Sequence, residues 1–370
     1  MRKPAIRYLV ASPAGDVPVD TQRLEYPLES DPLKTPYGIY FRAITDFLSR
    51  ENFQPLLGAV NERLETDFDL SSLNEIIVRT EKHGALYHPA SIECLTAGKK
   101  IKFGLNVAVT ETGRNALKKE FIVLRTLQIQ YRLPYIPKPF LLDEAYAMVF
   151  LLEEWFEGYH EFHIAKSEDG KQQMKLWEYG KGDWFLSSEQ GFEIYRQAAE
   201  ILTLYYDLSD FRLIYPWHHA AGDFVVKIED NDQIDVKLTT VRGYEPFIGS
   251  GTNEAINPVL ALFYFLLHLS VQMRLDKIDG VGDVVWAEDS CVDATVKGFL
   301  DGLGKKDDLG DCCGSLRSFL MLLKSFTRED LRKTLAPIAG QFEQTKDYQV
   351  IQEHLKDHVA RLYLTLRNYP

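Results

Sequence analysis

The residues of this chain best suited to chemistry lie in one stretch, Tyr215-Pro-Trp-His-His-Ala-Ala-Gly-Asp-Phe-Val-Val226. His218 stands five residues before Asp223, with small residues between them and a β-branched run directly after. That pattern describes a turn that presents side chains and is pinned by a buried strand. An imidazole titrates near neutral pH, so His218 or His219 is suited to take a proton from a hydroxyl. A carboxylate at Asp223 is suited to hold a hard cation through oxygen. The bland reading is that Trp217, His218 and His219 pack the turn against a neighbouring helix. Metal binding by His83, His218 and His219 together has no support in their spacing.

The elements around the stretch have to hold it. Phe224-Val-Val, a turn at Glu229-Asp-Asn-Asp232 and a second strand over Ile234 to Leu238 predict a hairpin. Ser187-Ser-Glu-Gln190 reads as a capping box opening a helix through Phe192, Tyr195, Ala199 and Leu202. Asn257-Pro258 combines an N-cap with proline at the first helical position, and the segment it opens is apolar nearly all round, hence a buried central helix. Residues 165–186 are polar and glycine-bearing and read as a loop or insertion anchored by Trp177 and Trp184. Past a glycine-rich, acidic linker at 301–314, the rest is helical.

The first half has a different rhythm. Prolines at 4, 13, 18, 27, 32 and 36 predict an extended arm, followed by two amphipathic helices carrying Ile39 to Phe47 and Phe53 to Leu64. Strands follow over 75–80, 86–95 and 101–110, then a helix over 115–128 and two strands over 140–142 and 147–152. The expected fold class is α+β, in two lobes. Residues 1–70 form the arm and helical cap, 71–153 a five-stranded antiparallel sheet with one helix, and 154–370 a mostly helical lobe carrying the hairpin.

With 42 basic and 54 acidic residues the net charge is −12, which argues against a nucleic-acid or anionic-membrane surface. The longest apolar run, Pro258 to Val271, falls short of the roughly 20 residues that span a bilayer. Cys94, Cys291, Cys312 and Cys313 lack zinc spacing and read as free thiols. A cytoplasmic, non-membrane protein is the expectation.

A small sheet with one helix, an acidic and aromatic connection, then a helical lobe with an inserted hairpin resembles the protein-kinase-like fold, most closely the aminoglycoside and choline phosphotransferase family. The resemblance covers about residues 70–365 and implies roles for particular positions. It puts His218 at the catalytic base and Asp223 at a magnesium ligand that the family fills with asparagine. Thr240 falls where the family has its second metal-binding aspartate. Thr110 falls at the lysine that holds the nucleotide phosphates, leaving Lys102 as a substitute, with Glu120 as that lysine's glutamate partner. Glu153, opening Glu153-Glu-Trp-Phe-Glu-Gly158, takes the hinge that meets adenine, and His83-Gly84 stands in the phosphate-covering turn.

Two functions follow. With the base, the second metal ligand and the phosphate lysine all replaced, one is a pseudokinase that binds a small-molecule or protein ligand in the inter-lobe cleft without conventional transfer. The other is an active small-molecule phosphotransferase using ATP and Mg²⁺, with His218 or His219 as base and Asp223 on the metal. Composition and spacing name no substrate, partner or oligomeric state.

Overall fold

A computed structural model of the chain describes residues 3–12, 15–81, 84, 86–96, 98–178, 180–246 and 257–370. His83, and with it most of the covering turn, lies outside the described residues. The described residues fall into two compact units, Met1–Glu157 and Gly158–Pro370.

The first unit contains β1 (Ala5–Val10), β2 (Val17–Pro18), α1 (Tyr37–Leu64), β3 (Leu73–Thr80), β4 (Ala90–Thr96), β5 (Lys99–Ala108), α2 (Glu111–Tyr131), β6 (Pro139–Ala145) and β7 (Met148–Glu154). Its sheet runs β2-β1-β3-β4-β5-β7-β6. The expected five strands and their intervening helix are all present, but the sheet has seven strands and is mixed, not purely antiparallel. The arm supplies the difference: β1 pairs in parallel with β3, Ala5 against Glu75 through Val10 against Thr80. That pairing occupies backbone groups which β3 would otherwise leave open at an edge.

Alternation sorts the two faces of this sheet. Val78, Ile92 and Phe103 sit side by side in register, as do Ile76, Cys94 and Ile101. These rows bury themselves against α1, whose Tyr40, Phe41, Ile44 and Phe47 join the same core. Phe47 stacks on Phe150 at 5.0 Å between centroids. The two expected amphipathic helices form α1 together, separated by a break in which Glu51, Asn52 and Phe53 take positive φ.

The second unit begins with three strands, β8 (His160–Lys166), β9 (Gln172–Glu178) and β10 (Gly182–Phe185), followed by α3 (Ser188–Leu204) and β11 (Arg212–Ile214). Next come β12 (Phe224–Ile228), β13 (Ile234–Leu238), β14 (Tyr244–Pro246), α4 (Pro258–Gln272), β15 (Leu275–Lys277) and β16 (Val284–Trp286). Helices α5 (Ser290–Leu303), α6 (Leu309–Cys313), α7 (Leu316–Ser325), α8 (Arg328–Gly340) and α9 (Tyr348–Asn368) complete it. The unit is mostly helical after β14.

Residues 165–186 are strands rather than a loop. Met174 and Leu176 point inward opposite Ile164 and Phe162, while Gln173, Lys175 and Trp177 alternate outward. A strand with one solvated face reads as polar, which masked it. The predicted hairpin forms as β12 and β13, Phe224 against Leu238 through Ile228 against Ile234. It is part of a five-stranded antiparallel sheet, β10-β9-β8-β12-β13, rather than an isolated insertion.

Both predicted helix starts are present. Ser187 and Gln190 form a reciprocal capping box on α3. Asn257 accepts from the amides of Val259 and Leu260 on α4, which is buried along most of its length. Among the described residues no helix is long and apolar enough to cross a membrane.

Candidate functional site

The loop between β11 and β12 closes on Asp223, which is fully buried. Its carboxylate Oδ2 accepts the backbone N–H of His218 at 2.8 Å, so the acid at the end of the turn holds the turn's start. The guanidinium of Arg242 then meets the same carboxylate in two parallel contacts, Nη1 to Oδ2 at 2.5 Å and Nη2 to Oδ1 at 2.6 Å. Fork against fork is the strongest common geometry for this pair of groups. Both oxygens that a cation would use are therefore engaged. Among the described residues no group of three or more His, Cys, Asp or Glu is arranged to hold a metal ion.

The rest of the turn is tied down as firmly. Gly222 sits at φ 68°, a conformation that favours glycine, with the Glu161 carboxylate of β8 lying 2.8 Å from where a Cβ would fall. Thr239 donates its amide to the Asp223 carbonyl at 2.7 Å and its hydroxyl to the Gly222 carbonyl at 3.0 Å. Gln272 of α4 donates to the Trp217 carbonyl at 2.8 Å, anchoring the loop to the central helix. Thr240 lies beside this ladder, its hydroxyl 3.4 Å from that of Thr239.

The two histidines have separate positions. His218 caps the single 3-10 turn His219–Ala221, its Nδ1 accepting from the Ala220 amide at 3.0 Å. An imidazole whose Nδ1 accepts carries its proton on Nε2 when neutral, and here Nε2 lies 3.8 Å from Asp347. In that tautomer Nε2 is a donor, so the ring does not offer the open lone pair a base needs. His219 is buried among the rings of Phe162, Tyr195, Trp217 and Phe224, at centroid distances of 5.5 to 5.6 Å. Burial pushes its pKa down to about 4, so it stays neutral at physiological pH.

In the first unit, Thr110 caps α2 by accepting the Gly113 amide at 3.1 Å. Lys102 on β5 lies over the Trp155 ring, 4.1 Å from its centroid, with Glu81 and Glu93 at 3.9 and 4.0 Å. Burial lowers its pKa, opposed by those two carboxylates. Glu120 on α2 accepts from the Tyr87 hydroxyl at 2.9 Å. Glu153 on β7 accepts from Asn106 at 2.9 Å, and its pKa is raised well above the carboxylate range by burial and by the charge of Glu120. The structure thus brings Glu120 and Glu153 into one electrostatic environment, while Lys102 faces Glu81 and Glu93.

Sequence reasoning missed Arg242. It stands two residues past Thr240, and nothing in Thr239-Thr-Val-Arg-Gly243 marks it as the partner of an acid 19 positions earlier. It also missed His163 on β8, held between Asp276 at 3.4 Å and Glu161 at 3.7 Å with Gly280 packed against its ring. Burial opposes its charge, but the hydrogen bonds to the two carboxylates outweigh that and lift its pKa to about 9. Comparison with protein-family models and with curated proteins finds no match to this chain.

Proposed function

We propose that this chain is a divergent protein of kinase-like, aminoglycoside phosphotransferase-like architecture that binds a small-molecule or protein ligand without transferring phosphate. The observation that carries the reading is the buried ion pair of Asp223 with Arg242. A magnesium ion at Asp223 would have to displace a bidentate guanidinium from a fully buried carboxylate, and breaking such a pair costs about 3–5 kcal/mol. Four of the other residues considered for phosphoryl transfer have structural tasks. His218 caps a turn, His219 packs among aromatic rings, Thr110 caps α2, and Glu120 accepts from Tyr87. With the groups for charge neutralisation and proton removal committed elsewhere, the expected rate of transfer is negligible.

The test is thermal unfolding with ATP, with and without Mg²⁺, alongside a turnover assay. Under this reading any stabilisation by ATP is unchanged by Mg²⁺ and no phosphate is transferred. A Mg²⁺-dependent rise in melting temperature that disappears in Asp223→Ala would overturn it in favour of an active phosphotransferase. Saturation at a hundredfold excess over Kd adds about 2.7 kcal/mol, well within detection.

A further inference from the structure

Away from the loop, the second unit contains a cavity of about 80 Å³. Its floor is apolar: Ile164 of β8, Met174 of β9 and Leu186 just before α3, all buried. Tyr195 of α3 lines it as well, only 7 % exposed, with its ring edge-on to His219 at 5.6 Å. The Tyr195 hydroxyl makes no hydrogen bond among the described residues, and it is not one of the enclosed polar atoms but opens onto solvent in the cavity. It is therefore free to bond whatever occupies the cavity.

Gly191, one helical turn before Tyr195, shows that the space is left open by the backbone. A Cβ at that position would meet nothing nearer than Met174 Cβ at 4.0 Å, so alanine fits without strain. Glycine inside a helix is less stable than alanine, yet here it keeps the cavity clear.

Charge selects the occupant. Among the lining residues, Glu288 alone carries a formal charge, and it is exposed at the rim. The first residues of α3 and α5, Ser188 and Ser290, also line the cavity. A helix N-terminus contributes about half a positive charge, and in each helix acidic residues of the first turn already face it, Glu189 on α3 and Asp293 on α5. Asp276 and Arg274 also act on the Tyr195 hydroxyl, but with opposite charges, so the full charge of Glu288 sets the sign. A cavity of about 150 Å³ holds one benzene ring, so this one takes roughly half that, three or four heavy atoms, and no sugar ring or polyamine.

We propose that this cavity binds a short primary alkylammonium ion, its N–H donors shared between the Glu288 carboxylate and the Tyr195 hydroxyl and its alkyl chain on Met174 and Leu186. An ammonium has three donors and no acceptor, which suits a carboxylate and a hydroxyl oxygen together. Binding there is independent of whether the loop at Asp223 transfers phosphate.

Ligand-observed NMR titration of the full chain with n-propylammonium, propionate and 1-propanol at constant ionic strength tests it. Propylammonium is expected to bind with a Kd in about the millimolar range that so small a ligand allows, at least about tenfold tighter than the other two. Glu288→Gln weakens it about tenfold, a charge-assisted hydrogen bond being replaced by a neutral one. Tyr195→Phe weakens it with the melting temperature unchanged, and Gly191→Leu abolishes it. Gly191→Ala, for which there is room, weakens it partially should the leucine variant fail to fold. Equal binding of the three probes, no propylammonium binding by 100-fold ligand excess at about 1 mM protein, or undiminished binding in Glu288→Gln and Gly191→Ala overturns the proposal.

Discussion

Asp223 and Arg242, 19 positions apart, meet as a two-point ion pair in which the acid is fully buried and the guanidinium about a quarter exposed. The same carboxylate receives the amide of His218, so the pair and the loop are one structural unit. Removing either partner leaves a different defect. Arg242→Leu strands a buried charge and should cost about 3–5 kcal/mol. Asp223→Asn keeps the hydrogen bond to His218 and should cost less. Urea unfolding of both variants checks the order, and an Arg242→Leu protein as stable as the parent would mean that the pair does not hold the loop.

His163 controls the alkaline side of stability. Its folded pKa, about 9, lies above the ordinary value of 6.5, so its contribution is complete below pH 6.5 and is lost as pH rises through 9. The amount is on the order of 2 kcal/mol, since a tenfold change in proton affinity is worth about 1.4 kcal/mol and part of the contact is to half-exposed Glu161. His163→Gln should be less stable at pH 6.5 and should lose little more between pH 7 and 10. A parent protein whose unfolding free energy is flat across that range would contradict the assignment.

Three deeply buried histidines act with the opposite sign on the acid side. Burial depresses His219 to about 4 and His268 and His358 to about 3, against an unfolded value of 6.5. Their contribution is present above pH 6.5 and is lost as pH falls toward 4, because the unfolded chain takes up protons that the folded chain refuses. Each contributes a slope of about 1.4 kcal/mol per pH unit. In unfolding measured from pH 6.5 to 4.5, His219→Phe should remove about one third of the slope due to these histidines.

Helices α3 and α5 approach closely at Gly298 and Gly302. A Cβ at Gly298 would fall 2.0 Å from the carbonyl oxygen of Arg196, which is backbone and cannot rotate away. Gly298→Ala should cost about 2–4 kcal/mol by forcing the helices apart. Gly58→Ala in α1 meets nothing within 4 Å and should instead stabilise by about 0.5–1 kcal/mol. Melting temperatures moving in opposite directions would bear this out, and equal shifts would not.

Local signals carried much of the architecture. The capping box at Ser187 and Gln190, the Asn257-Pro258 start and the apolar girth of α4 depend on neighbours within a turn, so they were legible from residue order alone. The same holds for the β-branched and apolar runs of β3, β5 and β7 and for the hairpin after Asp223. Long-range pairing was not legible. Ala5–Val10 has no local mark saying that it will lie parallel to β3, and Gln172–Glu178 looks like a loop until Ile164 and Phe162 bury its inward side chains. The site divides along the same line. Sequence placed His218, His219 and Asp223 in one turn ahead of a strand, because turn and strand propensities are local. Whether Asp223 is an open ligand or half of an ion pair was decided only when the chain folded back through β13 and brought Arg242 against it, since a buried carboxylate takes whichever cation the tertiary structure delivers.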